Sequence, residues 1–287
     1  MTTHPTLITF DYDHAAPLDV QIHATETRDG VTIHDLTFAS PKGDRVAAYL
    51  VLPPEGTPGP HPGILWMHWL EPHDVDSNRT EFLDEAVTLA QQGVISVLPD
   101  AFWTTTPAKA VGVKQFGWTT DYEHDLAISI KQVIEMRRAL DMLLSQPGID
   151  AERIGFVGHD FGGMYGALVA ASDRRPKWYV IMAATYSFGE WFVFGSGFDE
   201  GQRDAYRAQI DVLDPARYIA QAAPAWLYFQ FANDDFFVPK EAARRFFDAA
   251  SEPKEIHWYD ASHDLKDANH TSHTDRLAWI RRQLGLS

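Results

Sequence analysis

The sequence predicts an α/β fold in which a mostly parallel central sheet is flanked by helices. Three observations carry that expectation. From about Arg45 onward, short apolar runs alternate with stretches whose apolar residues recur at helical spacing. The runs end in turn chemistry, and one strand leads through a glycine-rich turn straight into a helix. The 287 residues are 45% hydrophobic, with 9 Trp and 17 Phe, enough to fill a large core.

Taken in order, VTIHDLTFAS (31–40) and RVAAYLVLPP (45–54) form an opening antiparallel pair joined by the Pro41-Lys42-Gly43-Asp44 turn. PGILWMHWL (62–70) is a buried apolar strand. EFLDEAVTLAQQG (81–93) is a helix with Phe82, Leu83, Ala86, Val87 and Ala90 on one face and Gly93 as its stop. VISVLPDAFW (94–103) is the next strand, and a long loop runs from about Thr104 to Glu123. In the helix over 125–146, Leu126, Ile130, Val133, Leu140 and Leu143 recur on one face. RIGFVGHD (153–160) is a strand and GGMYGALVAAS (162–172) the helix leaving it. Strands follow at 177–185, 224–234 and 254–261, and TDRLAWIRRQLG (274–285) closes the chain as an amphipathic helix. With no repeat, linker or low-complexity tract, residues 1–287 read as a single domain. The aromatic-rich segment at about 186–223 is too long for an ordinary connection and reads as a small lid.

Composition narrows the function. The formal net charge is -16 and no basic run occurs, so neither nucleic acid nor an anionic membrane is expected as a partner. The chain has no cysteine, which excludes disulfides, thiol catalysis and Cys-zinc sites. The start of the sequence carries no basic-then-apolar leader, and no apolar run approaches a membrane span, so a cytoplasmic protein is expected. His263, His270 and His273 invite a metal reading, but the last two sit near a helix start without a nearby carboxylate pattern, and neither a metal nor a cofactor is expected.

The chemistry gathers at GFVGHDFGGMYG (155–166), which has the spacing Gly-x-Asp-x-Gly where hydrolases of one large fold carry Gly-x-Ser-x-Gly. Asp160 takes the serine's place. Downstream, Asp235 ends a strand in ANDDFFVP, and His263 follows the last strand in YDASHDL. This order and placement resemble the α/β-hydrolase superfamily, whose triad runs nucleophile, acid, histidine. The resemblance covers nearly the whole chain. LDPARYIAQAAPAWLYFQFANDDFFVP and the extended opening strands look most like its dienelactone-hydrolase and acyl-peptidase branch. That likeness selects Asp235 as the acid, with Asp234 as the fallback. GHDFGG itself is similar to the turn of epoxide hydrolases and haloalkane dehalogenases, which use aspartate as nucleophile.

A carboxylate is ionised near neutral pH and needs no base to attack. Attack on an ester carbonyl gives a high-energy anhydride, whereas attack on an sp3 carbon gives an ordinary ester. The leading expectation is therefore an alkyl-ester intermediate on Asp160. His263, oriented by Asp235, activates the water that hydrolyses it. The substrate is an apolar epoxide, or less favourably a carbon–halogen compound, because Phe161 offers a leaving halide no donor. Oxyanion donors are expected from the backbone of Phe161 and of Trp69 or Leu70. Tyr186 and Tyr206 are candidate acids for an epoxide oxygen. The pocket is expected to include His68, His159, Trp103, Tyr186 and Trp191, which suit an apolar or aromatic small molecule. Two alternatives stand beside this reading. One is an ester or lactone hydrolase in which Asp160 and His263 activate water. The other is a ligand-binding protein without catalysis.

Overall fold

The computed structural model describes residues 7–71, 74–104 and 119–286. Most of the loop expected at 104–123 therefore lies outside the described residues. Nine strands form one sheet. They are β1 (Gln21–Arg28), β2 (Val31–Ala39), β3 (Arg45–Leu52), β4 (His61–Met67), β5 (Ile95–Pro99), β6 (Ile149–His159), β7 (Trp178–Met182), β8 (Trp226–Ala232) and β9 (Lys254–Tyr259). Their spatial order is β1-β2-β3-β5-β4-β6-β7-β8-β9. The first three strands and β5 pair antiparallel, and every pairing from β5 to β9 is parallel. This is the α/β-hydrolase arrangement that the sequence predicts.

The opening hairpin expected at 31–54 is β2 and β3, closed with Ala39 opposite Arg45. Ahead of it lies β1, which the sequence reading left out. Its residues, QIHATETR, are almost all exposed, so this edge strand has no apolar alternation by which to recognise it.

Helices cover both faces of the sheet. Along β4 successive side chains point to opposite sides. Leu65 and Met67 pack into the core shared with α2 (Tyr122–Leu144) and α3 (Phe161–Ser172). Ile64 and Trp66 pack against α1 (Leu83–Ala90) and α8 (Thr271–Leu284). Between β7 and β8 stand the short α4 (Gly189–Phe192), then α5 (Glu200–Ile210) and α6 (Pro215–Ile219). Helix α7 (Lys240–Ala249) joins β8 to β9. Parallel strands all point their carboxyl ends at one rim, which is where such sheets hold their ligands. The loops that follow β4, β6, β8 and β9 bring Leu70, Asp160, Asp235 and His263 to that rim.

Candidate active site

The turn after β6 is tight because two glycines permit it. A Cβ on Gly162 would run into the Met67 carbonyl, and one on Gly158 would run into the Gly162 backbone. Asp160 sits between them at φ 49 and ψ -115, a backbone conformation that side-chain-bearing residues rarely adopt. Its amide donates to the Met182 carbonyl at the end of β7, which fixes the turn against the neighbouring strand. The result aims the Asp160 carboxylate out of the sheet's rim.

Across from it, His263 Nδ1 lies 2.8 Å from Asp235 Oδ2. The other oxygen of Asp235 accepts from the amides of Phe237 and Val238, at 2.8 and 2.9 Å. With Nδ1 donating to a carboxylate, Nε2 is the free ring nitrogen, and it stands 3.7 Å from Asp160 Oδ1. That oxygen is buried and has no hydrogen-bond partner. Asp160 Oδ2 accepts from the Leu70 amide at 3.1 Å. The structure thus brings Asp160, Asp235, His263 and Leu70 together, while Asp234 is exposed on the loop.

The charges are mutually dependent. Burial pushes the Asp160 carboxyl up, and the charges of His263 and His159 and the amides of Leu70 and Phe161 only partly offset it. Burial alone would lower His263, but its bond to Asp235 and the Asp160 charge outweigh that and raise it. Asp160 and His263 thus both bind a proton more readily here than in water.

The Leu70 amide is aimed by its own peptide unit. Leu70 N–H and Trp69 C=O belong to the same planar group and point in opposite directions. The Trp69 carbonyl accepts from His68 Nδ1 at 2.8 Å, Trp103 Nε1 at 3.0 Å and Ser77 Oγ at 3.1 Å. A carbonyl only accepts, so His68 carries its proton on Nδ1. Its bare Nε2 then receives the Ala101 amide at 3.1 Å. Burial lowers His68 to about 4, which keeps the ring neutral in this role.

Several expectations change here. The Trp69 amide does not face Asp160; it donates to Glu81 Oε2 at 2.7 Å. His159 does not offer a free nitrogen to a substrate, because Nδ1 is 2.6 Å from Glu81 Oε1 and Nε2 is 2.9 Å from the His263 carbonyl. His68 and Trp103 are fully occupied buried anchors rather than pocket walls. Tyr206 gives its hydroxyl to Asp125 at 2.5 Å, and the Tyr186 ring lies beneath the Arg245 guanidinium at 4.0 Å. The Tyr206 phenol is thus spent on Asp125 and does not stand as the expected acid over Asp160. Trp191 does reach the site: its ring is 6.2 Å from Phe161 and 5.6 Å from Phe237, whose edge in turn meets His263 at 5.1 Å.

Glu81 and Phe237 were missed in the sequence. Phe237 was legible in DDFFVP, wedged between the acid and the proline. Glu81 had no such signal, because its tie to His159 spans 78 residues. His273 pairs with Glu85 at 3.1 Å, apart from His263. Among the described residues no group of three or more His, Cys, Asp or Glu side chains could hold a metal ion. Nor, among them, is any helix long and apolar enough to cross a membrane.

Comparison with known proteins adds a lineage. The family described as Acetyl xylan esterase (AXE1) matches residues 12–189, well over half of the chain. The match takes in the elbow and stops short of Asp235 and His263. No curated protein sequence matches. Among solved structures, the acetyl xylan esterase from Paenibacillus sp. R4 superposes with a TM-score of 0.71 at 17% identity, covering 93% of this chain and 89% of that one. Acetyl xylan esterase 1 from Thermoanaerobacterium sp. JW/SL YS485 gives 0.70 at 14% identity, covering 92% and 88%. A cold-adapted esterase from an Arctic intertidal metagenomic library gives 0.65 at 17% identity, covering 91% and 97%. At these identities the superpositions speak for the fold.

Proposed function

The chain belongs to the acetyl xylan esterase family, and from that premise we propose that it is a hydrolase of small carboxylic esters in which Asp160 and His263 activate water. One observation carries the reading. His263 is held by Asp235 on one side, and on the other its Nε2 stands 3.7 Å from an unpartnered Asp160 oxygen. A water bonded at about 2.8 Å to both atoms spans that gap. Nε2 takes its proton, the oxygen adds to the ester carbonyl, and the imidazolium returns the proton to the departing alkoxide. The Leu70 and Phe161 amides, which Asp160 now engages, are the donors available to the developing oxyanion. Trp191 and Phe237 supply an apolar wall beside His263, and residues 186–223 act as the lid that carries Trp191. Short acyl esters on carbohydrate hydroxyls, the substrates in the family's name, are the first to assay.

A second reading is favoured by one feature of the same geometry. Asp160 presents one oxygen to the Leu70 amide and leaves the other bare, as a carboxylate attacking an sp3 carbon would need. The two readings part in a single-turnover reaction in oxygen-18 water. Ester hydrolysis by activated water leaves Asp160 unlabelled, whereas an alkyl-ester intermediate places label in its carboxylate. The variants give the same division. On an aryl acetate, Asp160→Asn keeps measurable turnover, while His263→Ala loses about 100-fold or more. Equal loss in both, with label in Asp160, overturns the water-activation reading.

A further inference from the structure

We propose that Glu81 and His159 form a positioning pair that sets His263 and the Leu70 amide at the same time, a proposal that rests on the hydrolase reading of the site. The pair is built around one imidazole. His159 is the last residue of β6 and directly precedes Asp160, and its ring is buried and stacked on the Trp69 indole at 5.1 Å and 9°. Its Nε2 faces the backbone carbonyl of His263 at 2.9 Å; since a carbonyl only accepts, that nitrogen bears a proton. Its Nδ1 meets Glu81 Oε1 at 2.6 Å, sharing one proton with the carboxylate.

Two arms leave this ring. The first holds the backbone of the residue whose side chain reaches Asp160. The second runs through Glu81, whose other oxygen accepts the Trp69 amide at 2.7 Å. Trp69 is the residue before Leu70, so Glu81 fixes the preceding peptide unit, which the Trp69 Cα joins to the one that aims N–H at Asp160. The oxyanion loop and the histidine loop come from opposite ends of the chain, and this pair joins both to the elbow.

The pair faces away from the cavity onto which His263 opens, in whose lining neither residue takes part. Glu81 and His159 line a cavity bounded by Glu85, Asp267 and Arg276. The cavity that opens on His263 is lined instead by Glu71, Asp234 and Phe237. A buried carboxylate and imidazole carry a desolvation cost that apolar packing would avoid. Here the two polar atoms that the pair does not spend on each other, Glu81 Oε2 and His159 Nε2, both go to the site's own backbone, which is the geometry expected of positioning.

The test compares Glu81→Gln, Glu81→Ala and His159→Ala, each checked for folding by circular dichroism. A glutamine keeps both bonds, accepting from Trp69 N–H and donating to His159 Nδ1. On an aryl acetate, His159→Ala and Glu81→Ala are expected to lower kcat about 10- to 100-fold with KM little changed, because a misplaced base slows chemistry and not binding. Glu81→Gln is expected to stay within about threefold of the wild type. If His159→Ala does not fold, Glu81→Ala against Glu81→Gln carries the comparison. A second readout needs no turnover: the low-field proton resonance of His263 Nδ1–H bonded to Asp235 should persist in Glu81→Gln and broaden in His159→Ala. Wild-type kcat or a sharp resonance in folded His159→Ala overturns the pair's role, as does a loss in Glu81→Gln equal to that in Glu81→Ala. Failure of the hydrolase reading shows separately, as activity that survives His263→Ala.

Discussion

Asp160 is more costly to hold than a serine at the same turn. Its folded carboxyl is raised by burial above its ordinary value of 3.8, so the folded state binds the proton more tightly than the unfolded chain does. Stability contributed by that proton is present below the unfolded value and is lost as pH rises through the folded one. Above the folded value the full penalty stands. Asp160→Asn is therefore expected to raise the melting temperature at pH 7, with the gain shrinking as the scan is repeated at acid pH. An unchanged or lower melting temperature at pH 7 would show that the His263 charge compensates the carboxylate completely. The same residue governs the pH profile. Asp160 and Asp235 together hold His263 above 6.5 against burial, and a base must be neutral to take a proton. The acid limb of kcat/KM should thus lie above pH 6.5 in the wild type and move down in Asp160→Asn, which removes one of the charges that raise it. A limb that stays in place would mean that Asp235 and Glu71 set it without Asp160.

At the scale of elements, the loop after β4 shows how a single peptide unit is aimed from behind. Three donors converge on the Trp69 carbonyl, from the residue before it, from Ser77 and from Trp103 after β5. Removing one leaves two, so Trp103→Phe and Ser77→Ala should each cost about 1 kcal/mol of stability and little kcat. The double variant leaves His68 alone to hold the peptide. It is expected to lower kcat about 10-fold, more than the product of the singles, as residues sharing one acceptor couple. A double-mutant cycle in kcat that closes additively would remove the clamp from the account. The elements themselves were largely legible, because periodicity and stop signals are local properties of the chain. Strand β1 was not, since an exposed edge strand has no buried face to mark it. The turn at Asp160 was legible because its two glycines have a local cause in the close approach of Met67 and Gly162. The clamp was illegible because Trp103 and His68 read equally well as pocket walls. Only the direction of their N–H groups decides, and spacing along the chain does not encode it.

At the scale of the whole molecule, the positions of Asp160, Asp235 and His263 could be read from strand order alone, since parallel strands deliver their following loops to one rim. The Glu81–His159 link could not, because it depends on how α1's leading turn packs across β6. Charge is the other property of the whole. With 24 basic against 40 acidic residues, the net charge is -16, and Glu71, Asp234 and Asp264 ring the opening onto His263. A field of this sign concentrates cations and repels anions over about 10 Å at 0.1 M salt, the screening length that sets its reach. Neutral and cationic esters should be handled better than anionic ones of the same shape. Raising salt from low to about 0.5 M shortens that length, so kcat/KM should fall for a cationic ester, rise for an anionic one and hold for a neutral one. The change should appear in kcat/KM and not in kcat, because steering acts on encounter and leaves the bound complex as it was. Matched salt titrations with three esters differing only in the charge of the alcohol group measure this directly. The same slope for all three would mean that Lys266, seated over the Trp69 ring at 5.7 Å and 3.6 Å from Asp76, neutralises the rim where it matters.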